Sequence, residues 1–186
     1  MNKRFIVIAE AGDLIGEKKL IAQYLKGESG KLKSENKREK WVMEDGTEWD
    51  IIVTGVGAIN VMHALRDIPR DAELINIGYA GSANYEIGSA VKVTEVRLNH
   101  PCVNYPEPEL HLSPLPDKYL KQSEACIESV CYSNTDFVLQ SDYKDCVFDM
   151  ELAYIAALGF EHLSALKIVS DNLSLHTYRE VAAGVE

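Results

Sequence analysis

Short apolar runs alternate with amphipathic segments along the chain, a pattern that predicts an α/β fold. Strands are predicted where apolar residues run together or alternate with polar ones, over 4–9, 49–54, 74–78, 91–98, 131–139, 145–150 and 162–170. Helices are predicted where apolar residues recur every three or four positions, over 13–26, 61–65, 120–130 and 151–158. This order predicts one domain over 1–186, built as a three-layer α/β/α sandwich with helices on both faces of a central mixed, mainly parallel sheet.

Two of the predicted strands end next to a carboxylate. Glu151 follows the strand 145–150, and Asp171 follows 162–170, a continuous apolar run of the kind that buried parallel strands have. Ligands of open α/β sheets bind at the carboxyl ends of the strands, so these two acids are predicted to share one pocket. Each acid taken alone is equally well explained as a helix cap or a turn residue.

Small residues follow two other predicted strands. Residues 55–57 read Gly-Val-Gly after the strand 49–54, and residues 80–81 read Ala-Gly after the strand 74–78. A glycine-rich turn lets a ligand approach the backbone closely. The same residues also serve ordinary tight turns, and the spacing is not the full dinucleotide fingerprint GxGxxG, so both interpretations stay open.

Two segments lack a helix or strand pattern. Residues 27–40 are polar and predict an exposed loop or a frayed hairpin. Residues 101–116 hold five of the six prolines, which predicts an irregular segment that serves as a lid or an interface arm.

Composition excludes several classes of protein. Hydrophobic residues make up 46% of the chain, which excludes a disordered class, and no apolar stretch approaches the roughly 20 residues of a membrane span. The net charge of −10 argues against a nucleic-acid partner, because phosphate repels an acidic surface. The four cysteines lack the spacing of a zinc site and are predicted to be buried free thiols. The absence of a signal peptide pattern predicts a cytoplasmic location.

Five short motifs, in this order, resemble the nucleoside phosphorylase superfamily, and most closely its methylthioadenosine/S-adenosylhomocysteine nucleosidases. They are Thr-Gly-Val-Gly-Ala-Ile-Asn at 54–60, Asn-Ile-Gly-Tyr-Ala-Gly at 76–81, Ser-Asn-Thr-Asp-Phe at 133–137, Phe-Asp-Met-Glu at 148–151 and Val-Ser-Asp at 169–171. Each motif is short, but five in register are specific.

The resemblance implies a role for each matching residue. Met150 and Glu151 resemble the ribose-binding pair, in which the glutamate accepts hydrogen bonds from the sugar hydroxyls. Phe137 matches the aromatic residue that stacks on the purine, and Asp171 matches the acid that interacts with purine N7. The backbone of Ala80 and Gly81 matches the segment that lines the nucleoside near the sugar.

This assignment fits the chemistry of an N-glycosidic bond. Cleavage builds positive charge on the ribose and negative charge on the purine, so a protonated acid near N7 and a carboxylate on the sugar both stabilise the transition state. Asp171 needs a raised pKa for this role, and burial raises the pKa of a carboxyl group. The reaction requires only acid-base groups and positioning, so no metal or organic cofactor is expected.

The resemblance also favours water over phosphate as the nucleophile. Phosphorylases of the superfamily hold phosphate with two arginines, whereas this chain has Gly16 and Asn76 at the matching positions. Phosphate without cationic partners binds poorly, so hydrolysis is favoured. Nucleosidases have in the first loop a glutamate that acts as the base for the attacking water. A gapless alignment places Leu14 at that position, so Asp13 or Glu10 is predicted to be the base after a one-residue adjustment of the alignment.

The chain departs from the family pattern in two places. The long closing helix of the family is expected to be shortened to roughly 175–185, and the second departure concerns the pocket itself. Tyr79 stands where the family usually has a small serine, and its bulk is expected to fill part of the nucleoside or nucleophile space. Three functions therefore stay open: a purine nucleosidase acting on a nucleoside such as methylthioadenosine or S-adenosylhomocysteine, a phosphate-dependent phosphorylase, and a catalytically degenerate nucleoside-binding protein. The family builds its pockets at subunit interfaces, so a homodimer or a larger homo-oligomer is implied.

Overall fold

The structure is a computed structural model that describes residues 3–9, 16–30, 39–99 and 110–183. Nine strands and four α-helices are assigned within these residues. In chain order they are β1 (Arg4–Ile8), α1 (Glu17–Tyr24), β2 (Glu28–Gly30), β3 (Lys40–Val42), β4 (Glu48–Val53), α2 (Ala58–Leu65), β5 (Glu73–Gly81), β6 (Ala90–Leu98), β7 (Ile127–Ser133), β8 (Cys146–Asp149), α3 (Leu152–Ala157), β9 (His162–Asp171) and α4 (Leu175–Ala183).

All described strands belong to one mixed sheet of order β2-β3-β4-β1-β5-β8-β7-β6-β9. Five of the pairings are parallel and four are antiparallel. One of the parallel pairings joins β5 to β9, which are not neighbours in that order, so β5, β8, β7, β6 and β9 close into a ring. The predicted α/β fold with a mixed sheet is confirmed, but its closed five-stranded part differs from a plain open sandwich.

Apolar side chains form two large cores, and helices pack on both. One core contains Val61 and Leu65 of α2 together with Leu152 and Ile155 of α3. The other core contains Leu20 and Ile21 of α1, with α4 contributing partly buried residues. Both cores use β5 and β9, whose side chains are buried on both faces as their continuous apolar sequences predict.

The predicted helix over 120–130 is wrong. This segment makes a 3₁₀ turn at Ser123–Ala125 and then enters β7, which begins at Ile127. The inward positions of β7 include Ser129 and Ser133, which are buried although they are polar. Serine at inward positions hides the two-residue period of a buried strand, so the segment resembles a helix in its apolar spacing.

The two segments without a regular pattern are only partly described. β2 pairs antiparallel with β3, which makes the hairpin that residues 27–40 allowed, while 31–38 lie outside the described residues. Of the proline-rich segment, 101–109 lie outside the described residues and 110–116 contain neither helix nor strand. Its predicted role as a lid or arm stays a prediction.

Candidate active site

A cavity of about 360 Å³ lies where β5, β8 and β9 end. It contains every predicted site residue that the structure describes, namely Tyr79, Ala80, Gly81, Phe137, Met150, Glu151 and Asp171. The two remaining candidates, Asp13 and Glu10, lie outside the described residues. Glu151 and Asp171, which are twenty positions apart in the sequence, therefore line the same cavity.

Asp171 lies at the end of β9 with its side chain turned into the protein. It is 1% exposed, and its Oδ2 accepts a hydrogen bond of 2.8 Å from the Ser170 hydroxyl. Its Oδ1 is buried and has no hydrogen-bond partner among the described residues. Burial raises the pKa of Asp171, although the Ser170 hydroxyl and the backbone N–H groups of Ser174 and Leu173 oppose that shift.

The backbone around Asp171 fits this carboxyl group closely. A Cβ on Gly81 would lie 2.8 Å from Asp171 Oδ1, so glycine is required on the facing strand. Leu173 has φ of 60°, in the left-handed region that non-glycine residues adopt at a cost of roughly 1 kcal/mol or more. This turn reverses the chain after β9 and brings α4 back over the cavity.

Glu151 lies at the corner between β8 and α3. Its Oε1 accepts a hydrogen bond of 2.9 Å from the N–H of Gly57, in the glycine-rich turn before α2, and its Oε2 accepts one of 3.3 Å from Met150 N–H. Burial, with a smaller contribution from Asp149, raises the pKa of Glu151 to about 7. The predicted glycine-rich turn thus contacts the predicted sugar-binding acid directly.

Aromatic rings form one wall of the cavity. The centroid of the Phe137 ring lies 5.5 Å from that of Tyr178, and the Tyr178 ring meets Tyr79 edge to face at 6.4 Å. Tyr79 is 7% exposed and lines the cavity, while its expected effect on the nucleoside or nucleophile space stays a prediction. Tyr178 was missed by the sequence interpretation because the fold of α4 over the cavity depends on the turn at Leu173.

Glu17 is a second residue that the sequence interpretation missed. It begins α1, is 5% exposed, and accepts hydrogen bonds from Ala9 N–H at 2.6 Å and Tyr79 N–H at 3.2 Å. Burial raises its pKa to about 8, with a further contribution from Glu151 and with Lys167 opposing. The helix begins three residues after Leu14, the position where the gapless alignment expected a glutamate.

A buried ion pair lies beside Glu17 and Glu151. Lys167 Nζ is 2.7 Å from Asp149 Oδ2, and both side chains are almost wholly buried. Asp149 also accepts hydrogen bonds from Leu152 N–H and the Ser133 hydroxyl. Burial alone lowers the pKa of Lys167, but the neighbouring Asp149, Cys131 and Glu151 together hold it above its ordinary value.

The cavity has an acidic lining. Among the described residues that line it, four are Asp or Glu and none is Lys or Arg. Asn76, at one of the two positions where phosphorylases carry arginine, is buried and donates from Nδ2 to Val7 O at 3.1 Å. Within the described residues no cluster of three or more His, Cys, Asp or Glu could hold a metal ion.

Other predicted features fall outside the cavity. Cys131 and Cys146 are buried free thiols, Cys126 is a half-buried one, and Cys102 lies outside the described residues. No helix in the part of the chain that the structure describes is long and apolar enough to cross a membrane.

Comparison with solved structures finds extensive similarity. The methylthioadenosine/S-adenosylhomocysteine nucleosidase of Helicobacter pylori, solved with butyl-thio-DADMe-Immucillin-A, matches with a TM-score of 0.66 and 17% identity over 100% of this chain and 93% of its own. The MTAN of Chlamydia trachomatis matches with a TM-score of 0.64 and 20% identity over 100% and 95%. The futalosine hydrolase of Helicobacter pylori matches with a TM-score of 0.63 and 15% identity over 99% and 92%.

The chain has the fold of these nucleosidases. The resemblance that the five motifs indicated is therefore confirmed at the level of the fold. Neither a protein-family model nor a curated protein sequence matches the chain. At identities of 15–20% the similarity establishes the fold alone, so activity has to be argued from the cavity.

Proposed function

We propose that this protein is an N-glycosyl hydrolase that releases the purine base from a ribonucleoside. The observation that carries the proposal is the cavity that Asp171, Glu151 and Phe137 share, in which Asp171 Oδ1 has no partner among the described residues. A buried polar atom without a partner is costly to the fold, so a ligand atom is expected to complete it.

Each wall of the cavity suits one part of a nucleoside. The Phe137 ring offers a stacking surface for the base, and Asp171 at the same end offers a proton to the purine as the glycosidic bond breaks. Glu151 offers carboxylate oxygens to the ribose hydroxyls, and Met150, Ala80 and Gly81 line the same cavity. The purine leaves with the electron pair of the bond and with the proton of Asp171.

The nucleophile in this proposal is water. An acidic cavity without a lining lysine or arginine disfavours phosphate, whose charge would meet carboxylates rather than cations. The base that takes a proton from water is proposed to be a carboxylate of the first loop, Asp13 or Glu10, or else Glu17 at the start of α1. Two observations favour Glu17. The charge of Glu151 contributes to its raised pKa, and its carboxylate accepts a hydrogen bond from the N–H of Tyr79, a residue that lines the cavity.

Finer features are part of the same proposal. Methylthioadenosine and S-adenosylhomocysteine are the first substrates to consider, because structures of similar fold carry these names or bind an analogue. The chain is also proposed to act in the cytoplasm as a single sandwich-like domain that forms a homodimer or larger assembly. A mass in dilute solution equal to that of one chain would exclude the assembly.

An assay for free base tests the proposal. Purified protein is incubated with methylthioadenosine, S-adenosylhomocysteine, adenosine or inosine, with and without inorganic phosphate, and the purine released is measured by chromatography. We expect release that does not depend on phosphate. Asp171→Asn is nearly isosteric but donates no acidic proton, so it is expected to reduce kcat by about 100- to 10,000-fold.

The outcomes separate the three functions. Release that requires phosphate would identify a phosphorylase and overturn hydrolysis. Tight binding of a nucleoside without release of base would identify a binding protein in which Tyr79 has taken the place of a productive nucleophile. Equal rates for Asp171→Asn and the parent would exclude Asp171 as the acid.

A further inference from the structure

The side chain of Tyr79 lies on the face of the sheet that α1 and α4 cover. Ile75, Ile77 and Tyr79 are alternate residues of β5, and all three belong to the core that includes α1. Ala80, the next residue, belongs to the other core. Successive side chains of a strand point to opposite faces, so the ring of Tyr79 lies between β5 and the two helices.

α1 fixes Tyr79 in this place. The backbone N–H of Tyr79 donates a hydrogen bond of 3.2 Å to the carboxylate of Glu17, the first residue of α1. Lys19 Nζ, also on α1, lies 6.0 Å from the centroid of the Tyr79 ring. A ring that is 7% exposed and bound through its own backbone is a rigid surface for the next element that packs on it.

α4 has little buried surface of its own. Of its described side chains, 175–181, none is buried and three are half-buried, namely Thr177, Tyr178 and Val181. The Tyr178 ring meets the Tyr79 ring edge to face at 6.4 Å, and Val181 O accepts a hydrogen bond of 3.4 Å from Lys19 Nζ. α4 thus packs on a surface that Tyr79 and α1 form together.

We propose that Tyr79 is a positioning residue that holds α4, and with it Tyr178, against the nucleoside cavity. The proposal rests on the function argued above, because Tyr178 packs on Phe137, the ring assigned to the purine. It reverses the expectation drawn from the sequence, in which the bulk of Tyr79 obstructs the nucleoside or the nucleophile. Tyr79 acts through Tyr178, whose ring contacts both Tyr79 and Phe137.

The two acids of the cavity are held by other elements. Asp171 ends β9 and pairs with Gly81 of β5, and Glu151 lies at the corner between β8 and α3, where Gly57 N–H donates to it. Loss of the Tyr79 ring is therefore expected to weaken the aromatic wall while the acids stay in place. Such a change raises KM more than it lowers kcat.

The sign of the change in KM tests the proposal. Tyr79→Leu keeps an apolar side chain in the core but removes the ring on which Tyr178 packs. From the strength of an edge-to-face ring pair, KM for a purine nucleoside is expected to rise about 2- to 12-fold. If the bulk of Tyr79 obstructs the cavity, the smaller leucine lowers KM or raises kcat instead, and that result would overturn the proposal.

Hydrogen exchange follows α4 without any substrate. Backbone amide exchange is measured by mass spectrometry on peptides that cover 175–183. Tyr79→Leu is expected to speed exchange in α4 about 2- to 12-fold, because local opening of the helix loses less. Peptides that cover α2 are expected to exchange as in the parent. Tyr79→Phe keeps the ring and is expected to keep the exchange rate of α4.

Tyr119 provides a matched control. It is 5% exposed, belongs to the same core, and meets Trp49 edge to face at 5.4 Å. It is not among the residues that line the cavity. Tyr119→Leu therefore removes a buried edge-to-face tyrosine from the same core and is expected to leave both α4 exchange and KM unchanged. Equal acceleration of α4 exchange in Tyr119→Leu and Tyr79→Leu would show general loosening of the core and refute the positioning role.

A double variant tests whether Tyr79 acts through Tyr178. Tyr178→Leu changes a half-buried side chain and removes the same ring contact from the side of α4. Exchange of α4 in Tyr79→Leu with Tyr178→Leu is expected to match that in Tyr178→Leu alone, because substitutions at residues in contact are not additive. Two effects that multiply would mean that the residues act separately, against the proposal.

The failure of this proposal can be told apart from the failure of the proposed function. Absence of purine release by the parent protein would overturn the function and leave the exchange measurements in force. Unchanged α4 exchange in Tyr79→Leu would overturn the positioning role, whether or not the protein releases a purine.

Discussion

Two buried acids of this protein, Asp171 and Asp149, both line the cavity but differ in the hydrogen-bond donors that their carboxylate oxygens have. Asp171 has one oxygen without a partner among the described residues, and that oxygen belongs to the cavity wall. Asp149 has donors on both oxygens, from Lys167, Leu152 N–H and the Ser133 hydroxyl. Asp171 therefore has an oxygen that a ligand could bind, whereas both oxygens of Asp149 are bound by donors of the protein itself.

Asp149 belongs to a cluster with Glu17, Glu151 and Lys167, which we call the buried charge cluster. It combines three carboxyl groups with one ammonium, and burial raises the pKa of Glu17 to about 8 and that of Glu151 to about 7. Near neutral pH the cluster therefore holds at least part of a proton in addition to that on Lys167. Its charges are balanced internally, which is how buried ionisable groups are tolerated.

The comparison predicts first that removal of Lys167 is severe for stability. Lys167→Met keeps much of the side-chain volume but leaves Asp149 buried without its cation, so the free energy of unfolding is expected to fall by about 3 to 5 kcal/mol. Urea denaturation followed by circular dichroism measures this value. Asp171→Asn is the contrasting variant, because neutralising an unpaired buried acid is expected to cost little stability or none.

A double variant sharpens this prediction. Lys167→Met with Asp149→Asn removes the charge that the single variant strands, so part of the lost stability is expected to return. If Lys167→Met unfolds at the same urea concentration as the parent, the cluster contributes nothing measurable and the comparison with Asp171 loses its basis.

Much of the fold was predictable because the buried positions of most strands are apolar, and these positions form recognisable runs in the sequence. The predicted strands at 74–78 and 162–170 lie within β5 and β9, whose residues are buried on both faces. The predicted end at 78 was wrong, because β5 continues to Gly81 and Ala80 and Gly81 belong to the strand. The segment 120–130 failed because serines occupy the inward positions of β7. Ring closure between β5 and β9 was also not predictable, since pairing across some ninety residues leaves no local sequence signal.

The site was predictable only where strand ends define it. Glu151 and Asp171 follow strands that the apolar runs reveal, so their shared location followed from strand order. Glu17 was hidden because an acid in the first turn of a helix is common for electrostatic reasons, and the sequence does not disclose the loop length before it. Tyr178 and the hydroxyl geometry of Ser170 depend on tertiary contacts with no separate sequence pattern.

The second prediction concerns the pH dependence of stability. Glu17 ionises near 4.5 in the unfolded chain and near 8 in the folded protein, so between these values the folded state binds more protons. Stability contributed by this group is therefore full at low pH and decreases as pH rises, with a slope of at most about 1.4 kcal/mol per pH unit. Glu17→Gln is expected to flatten this part of the curve, measured by urea denaturation from pH 5 to 8.

Glu28 supplies a control for that measurement. It is an exposed residue of β2, and Glu28→Gln is expected to leave the pH dependence unchanged. A Glu17→Gln curve parallel to that of the parent would mean that Glu17 is ionised normally, and the buried charge cluster would then contain one titrating group fewer.

The smallest effect is expected on the cavity side, at Phe137. Phe137 is half-buried, and its ring packs on Tyr178, so Phe137→Leu keeps an apolar side chain while it removes the flat surface for the base. Base stacking on an aromatic ring contributes about 1 to 3 kcal/mol, so KM for the purine nucleoside is expected to rise about 5- to 150-fold with kcat less affected. Phe137→Leu is expected to lower the free energy of unfolding by less than Lys167→Met does. Phe137 would then act mainly on nucleoside binding, and Lys167 mainly on stability. A variant that loses stability but keeps the parent KM would instead make Phe137 a packing residue, and the base would have to bind elsewhere in the cavity.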